Sequence, residues 1–284
     1  MEEMQFKIDG PLLKTGVPIP IAVAALDSFQ GIVDKTYLVT TNTQRITSRE
    51  REKFFLRATE FKQGSLLTYF EIALQGVQLG LPLVSSVGPN NIWELTKDTF
   101  SFLKTVCGAV QQGKEPIYKF TNEADGILNV QIGDQNHHYY APVYQIGQMA
   151  LPQYQQLAGL IGPKKLNEIS AGPKYAEKSD IYLGPNDRDL FKVPTTIRRE
   201  AIDLQCEVFD FNKYKNAGKL AVKVAGQPVP VGEYNFTIMG NQDIVDYIYS
   251  MLKPQVVIIC FMEVGISPFG GEEVHKLHVT SVGS

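Results

Sequence analysis

The last third of the chain most narrows what it can fold into. Leu204, Cys206 and Val208 alternate with Asp203, Gln205 and Glu207; Leu220, Val222 and Val224 with Lys219, Ala221 and Lys223; Tyr234, Phe236 and Ile238 with Glu233, Asn235 and Thr237. In an extended chain neighbouring side chains point to opposite faces, so each run predicts a strand with one apolar face. Asn216-Ala217-Gly218 is expected to turn the first pair, and Gly226, Pro228, Pro230 and Gly232 the second. Asn241 then opens a short helix whose Ile244, Val245, Ile248, Met251 and Leu252 are expected to face inward, until Pro254 stops it. Residues 255–264 and 274–282 read as two more strands. Three strands, a helix and two strands is the element order of a small five-stranded barrel of the oligonucleotide/oligosaccharide-binding type. Element order speaks to fold, and activity has to be argued from a site.

The preceding part mixes hairpins and helices. A strand is predicted over residues 4–8, and a helix over about 20–38 from the recurrence of Ile21, Ala25, Ser28, Phe29 and Ile32, with Gln30 and Asp34 on the other side. Residues 40–52 read as a polar loop. A hairpin follows, with strands at 53–61 and 65–75 joined by Lys62-Gln63-Gly64-Ser65, and Leu66, Thr68, Phe70, Ile72 and Leu74 on its core face. Asn91 and Glu94 have the spacing of a capping box for a helix that carries Ile92, Leu95, Thr99, Phe102, Leu103, Val106 and Val110 on one stripe and ends at Gly113. Asp125-Gly126 marks a second hairpin, and a helical segment runs over 143–161. Between 163 and 200 the composition shifts to Lys, Asp, Gly and Pro. The expected organisation is therefore an α+β chain: an α+β domain of β-hairpins and helices at 1–162, a connection at 163–200, and a small OB-like β-barrel domain at 201–284.

Composition excludes several classes. Lys plus Arg number 27 against 30 Asp plus Glu, a net charge of -3, so there is no global basic footprint for nucleic acid or anionic lipid. The apolar stretch 64–88 carries Glu71, Gln75 and Gln78 near its middle and is broken by Gly76, Gly80 and Pro82. A spanning helix needs about 20 predominantly apolar residues, so no integral membrane segment is expected there. The loose part at 76–88 becomes a place to look for a partner if it is exposed. The opening MEEMQFKIDG lacks the basic and apolar regions of a secretory leader, which gives the expectation of a cytoplasmic protein. Cys107, Cys206 and Cys260, odd in number and each within an apolar run, read as reduced core thiols.

Candidate chemistry is sparse. No phosphate loop, dinucleotide fingerprint, Gly-x-Ser-x-Gly elbow or His-Glu-x-x-His occurs, and the motifs imply no cofactor and no metal. His137-His138-Tyr139-Tyr140 is the densest cluster, but a strand would send the two imidazoles to opposite faces. His275 and His278 would be separated in the same way. Asp203, Glu207 and Asp210 are the grouping a metal-dependent nuclease would need, though strand spacing reads them as a solvent face. Trp93, the single Trp, reads as helix-end packing. A nucleic-acid-binding set has more support: Phe209, Phe211 and Tyr214 interleave with Lys213, Lys215 and Lys219 around the first barrel turn, with Arg198 and Arg199 just before. Stacking rings among cations suit single-stranded nucleic acid.

The run GVPIPIAVAALDSFQGIVDKT, then FFLRATEFKQGSLLTYFEI, then VFDFNKYKNAGKLAVKV resembles uncharacterised bacterial proteins often encoded on mobile elements or near antiviral defence genes. The resemblance covers most of the chain, and its motifs are structural, so it transfers no catalytic residue. What it implies is a setting in such a system; the expected role, from the residues themselves, is a non-enzymatic binding or regulatory component contacting nucleic acid or a partner protein, with a homo-oligomer as one form. A metal-dependent nuclease or nucleotide-processing enzyme and a membrane-acting effector are the alternatives.

Overall fold

Phe6 and Ile8 alternate with Gln5 and Lys7 in β1 (Met4–Asp9), and the apolar pair is fully buried. The computed structural model describes residues 4–14, 16–62, 66–74, 89–121 and 126–283, and the chain divides into two units, Met1–Lys192 and Val193–Ser284. In the first unit β1 lies between β3 (Leu66–Leu74) and β7 (Glu168–Pro173), with β2 (Phe54–Lys62) and β8 (Ile181–Leu183) at the edges of an antiparallel sheet. The expected turn at 63–65 and the apolar segment 75–88 lie outside the described residues.

Helices α1 (Ile19–Thr40), α3 (Pro89–Gln111) and α4 (Ala141–Gly159) pack on one another, and Phe29 of α1 stacks on Phe6 at 4.5 Å and meets Phe70 edge-on at 5.2 Å. Trp93 joins this aromatic core, 6.2 Å from Phe70, and its indole N–H donates to Asp180 Oδ2 at 2.7 Å. The α3 stripe is buried as expected apart from Leu95, which is half-buried, but the helix starts at Pro89, so Asn91 stands inside the first turn instead of at the cap position. Proline suits that first position because its missing N–H would have no helical partner there.

Two expectations for this unit change. The polar stretch after α1 contains a short helix, α2 (Ser48–Lys53), because Thr47 Oγ1 accepts from the Glu50 amide at 3.2 Å. Arg51 then reaches Asp34 through two bonds of 2.8 and 2.6 Å, so the side of α1 that reads as solvent-facing is covered by an ion pair. The segment expected as a connection, in which residues 180–183 read as an edge strand, supplies that edge strand as β8 and, unexpectedly, β7, paired to β1 along Glu168–Pro173, and it belongs to the first unit up to Lys192. A few apolar residues, Ile169, Ala171, Ile181 and Leu183, are enough to seat two short strands.

A second, three-stranded sheet consists of β4 (Ile117–Thr121), β5 (Ile127–Ile132) and β6 (Gln135–Tyr140), antiparallel throughout. Asp125 of the expected turn lies outside the described residues. Tyr139 meets Phe102 of α3 at 5.3 Å and Tyr118 meets Tyr144 of α4 at 5.0 Å, which fixes this sheet on the helices.

The second unit is a closed five-stranded barrel of mixed strands. β10 (Ile202–Asn212), β11 (Ala217–Val222), β12 (Gly232–Ile238), β14 (Glu272–Gly283) and β13 (Val256–Ile266) follow one another around it, and β10 pairs with β13 to close it. β12 and β14 run parallel and the other pairs antiparallel, while β9 (Thr196–Ile197) adds to β13. This is the order expected from the alternation, and Leu204, Cys206, Leu220, Phe236, Ile258 and Leu277 fill the interior. The expectation for the intervening helix α5 (Ile244–Ser250) is overturned: it buries Tyr247 and Ser250, and Val245, Ile248, Met251 and Leu252 are exposed. The barrel end is already filled by rings, which leaves room for one face of a short helix.

Cys107, Cys206 and Cys260 are buried and unpaired, and burial pushes each thiol up to about 12. Among the described residues no helix is long and apolar enough to cross a membrane.

Candidate nucleic-acid interface

The β10–β11 turn is built by three local devices. β10 alternates inward Leu204, Cys206 and Val208 until the register shifts between Val208 and Asp210, where β10 carries an extra residue, Phe209. A bulge of this kind turns consecutive side chains outward. Phe209 and Asp210 are both exposed, and Phe211 returns to the inside. There Phe211 stacks on Tyr247 of α5 at 5.4 Å and on Phe236 at 6.2 Å, closing one end of the barrel. Gly218 sits opposite Phe211, and a Cβ at that position would overlap the Asp210 carbonyl and lie 2.8 Å from the Phe236 ring.

Beyond the bulge the turn itself is pinned. Asn212 Oδ1 accepts from the amides of Tyr214 and Lys215 at 3.1 and 3.2 Å, and Asn216 takes the left-handed conformation (φ 49°) that Asn tolerates. The side chain at the tip has no part in that network: Tyr214 is 88 % exposed. The Lys213 ammonium stands 5.2 Å from the centroid of the Tyr214 ring, and Lys215 follows it. Lys219 lies one register step back on β11, opposite Asp210 and Asn235. Lys213, Lys215 and Lys219 enter no ion pair among the described residues, whereas Lys223, further along β11, is paired with Glu207.

Of the six residues expected to form a binding set, five are therefore brought to one exposed turn and its outer face, and the sixth, Phe211, is a packing residue. The Lys213 ammonium over Tyr214 and the hydrogen-bonded backbone reduce the ordering needed before a base could stack on the exposed ring. In barrels of this topology the first hairpin loop and the faces of the second and third strands take oligonucleotides. Those faces here are β11 and β12.

Other candidate groups are separated. Asp203, Glu207 and Asp210 lie along the outside of β10, and the first two, four residues apart, are about 13 Å from one another at strand rise. Among the described residues no group of three or more His, Cys, Asp or Glu could hold a metal ion. In the other unit His137 lines an open groove of about 620 Å³ with Lys104, Lys114 and Asp134, while His138 points to the opposite face and bonds Asn129.

One polar network was invisible in the sequence. His278 Nε2 lies 2.8 Å from Glu263 Oε2 and its Nδ1 3.2 Å from Thr237 Oγ1, and Thr195 donates to Glu263 Oε1 at 2.6 Å. It ties β12, β14, β13 and the segment entering β9 together, and the bonds from Thr195 and His278 hold the Glu263 carboxyl below the usual carboxylate range. His275, three residues earlier on the same strand, takes no part in it. Long-range register brings these four side chains together, and no local spacing announces it.

Compared with known proteins, the chain matches no family model, no curated protein and no solved structure. No residue role is inherited, and the site is read from its own geometry.

Proposed function

We propose that the protein is a non-enzymatic binding component that holds single-stranded nucleic acid on the β10–β11 turn. Tyr214 and Phe209 offer rings to bases, and Lys213, Lys215 and Lys219 face phosphates. The observation that carries this reading is a Tyr 88 % exposed on a turn fixed by Asn212 and set among three cations without an ion pair among the described residues. A single exposed ring is ordinary on a protein surface; what sets Tyr214 apart is its place on a turn held by Asn212, with the Lys213 ammonium over it and Lys215 and Lys219 nearby. The acidic balance of the chain fits a local site and opposes general DNA coating. The setting in a mobile-element or antiviral system is implied by the sequence resemblance alone.

The test is an anisotropy titration of labelled single-stranded DNA and RNA oligonucleotides. Tyr214→Ala should weaken binding by about 5- to 150-fold, the range of one base–aromatic stack. With three phosphates neutralised on a single strand, affinity should fall about eighteenfold between 50 and 200 mM salt. Lys213→Gln, Lys215→Gln and Lys219→Gln together should flatten that dependence. No binding at low salt, or binding indifferent to these substitutions, overturns the reading. Divalent-dependent cleavage of the oligonucleotide, lost in Asp203→Asn or Glu207→Gln, would replace it with the nuclease.

A further inference from the structure

The exposed side of α5 and the barrel wall beside it form an apolar surface that the fold itself leaves uncovered. Val245, Ile248 and Tyr249 share one face of α5 at i, i+3, i+4 spacing, Leu252 follows in the turn that ends the helix, and all four are exposed, Leu252 by 78 %. That spacing ordinarily marks the side a helix buries. Next to them lies a groove of about 500 Å³ between the end of α5 and the barrel, lined by Tyr249, Leu252, Val256 and Val282 and flanked by Asp246 and Lys253. Val257, whose strand partner Gly283 also rims the groove, and Ile259 continue the apolar surface on the outside of β13.

We infer that a second copy of this chain docks here, α5 against α5 about a two-fold axis. The surface is self-complementary in two respects. It carries both a protruding side chain, Leu252, and the groove that would receive its counterpart. It also carries one acid and one base on the rim of the same groove, Asp246 in α5 and Lys253 just past its end. In an antiparallel pairing of the two helices each Asp246 meets the other copy's Lys253, and a two-fold contact makes that match twice. A partner of uniform charge would satisfy only one of the two. The surface is distinct from the Tyr214 turn, so this inference does not rest on nucleic-acid binding.

The experiment is sedimentation velocity of the full chain over a concentration series. The wild type should dimerise. Leu252→Glu should abolish the dimer while leaving the far-UV circular dichroism unchanged, because that side chain is 78 % exposed in its own fold. Asp246→Lys alone faces Lys253 across the axis, and Lys253→Asp alone faces Asp246, so each single variant should dissociate at least tenfold more readily, as like charges in contact repel. Mixing the two single variants should restore a heterodimer, and the double variant should restore the homodimer. A wild type monomeric up to about 100 μM, including one that instead binds lipid vesicles through Leu252, overturns the inference. A dimer indifferent to Leu252→Glu and to the charge exchange overturns it as well.

Discussion

Helices α3 and α5 carry the same kind of pattern and meet opposite fates. In α3 the apolar stripe Ile92, Phe102, Leu103, Val106 and Val110 is buried between other helices and the three-stranded sheet. In α5 Val245, Ile248 and Tyr249 face out, with Leu252 exposed just past the helix end, and a single aromatic, Tyr247, goes in. The difference lies in what was available to cover each helix. The Phe211–Tyr247–Phe236 stack already closes the barrel end, so seven helical residues have one side chain's worth of space to fill. Apolar periodicity reports that a helix has a face to bury, and leaves open whether its own chain or another chain buries it.

Truncation tests this contrast most directly. Phe102→Ala should destabilise the first unit by about 3–5 kcal/mol, read as a lowered urea midpoint of Trp93 fluorescence. Ile248→Ala in α5 should cost within about 0.5 kcal/mol of nothing in the monomer. Equal costs would mean that the α5 face is covered after all. Trp93→Phe comes next: it takes the donor from Asp180 and should lose about 1.5–3 kcal/mol, followed by circular dichroism because the probe is gone.

Alkaline titration separates core from surface by another route. The buried thiols stay protonated in the folded state to about 12, against an ordinary value of 9.0, so the unfolded chain ionises first. Their contribution to stability is complete below pH 9 and declines as pH rises toward 12, by at most about 1.4 kcal/mol per pH unit for each thiol. Replacing Cys206 and Cys260 together with Ala should flatten that decline in the barrel. A thiol reagent that labels all three at pH 8 without denaturant would contradict their burial. The smallest effect concerns how α5 begins: Asp243 accepts from the Val245 amide at 2.9 Å, and Asp243→Ala should cost about 1 kcal/mol. A larger loss would show that α5 is more tightly integrated than its exposed stripe implies.

Much of this was legible in advance where the signal was local. The strands of the barrel, the helix α1 and the strand holding His137–Tyr140 all follow from period-two or helical spacing, and the predicted alternation of His137 and His138 is the one found. The turn cluster was legible as composition, Asn-Lys-Tyr-Lys-Asn with rings before it, although the bulge that sends Phe209 out and Phe211 in was not. The paired Asn residues bracketing the tip were the available signal for a pinned turn. Nothing local announced α2 over the polar side of α1, because Asp34 and Arg51 look like ordinary surface charges until they face each other.

The sequence by itself determined the α+β class, the order of elements in the barrel and the buried state of the three thiols, since each depends on which side chains avoid water along a short stretch. Only the tertiary structure decided that β7 joins the first sheet beside β1, that His278, Glu263, Thr237 and Thr195 converge, and that the apolar side of α5 is left outside. Those outcomes depend on which surfaces compete for the same cover, and pairing across tens of residues settles that competition.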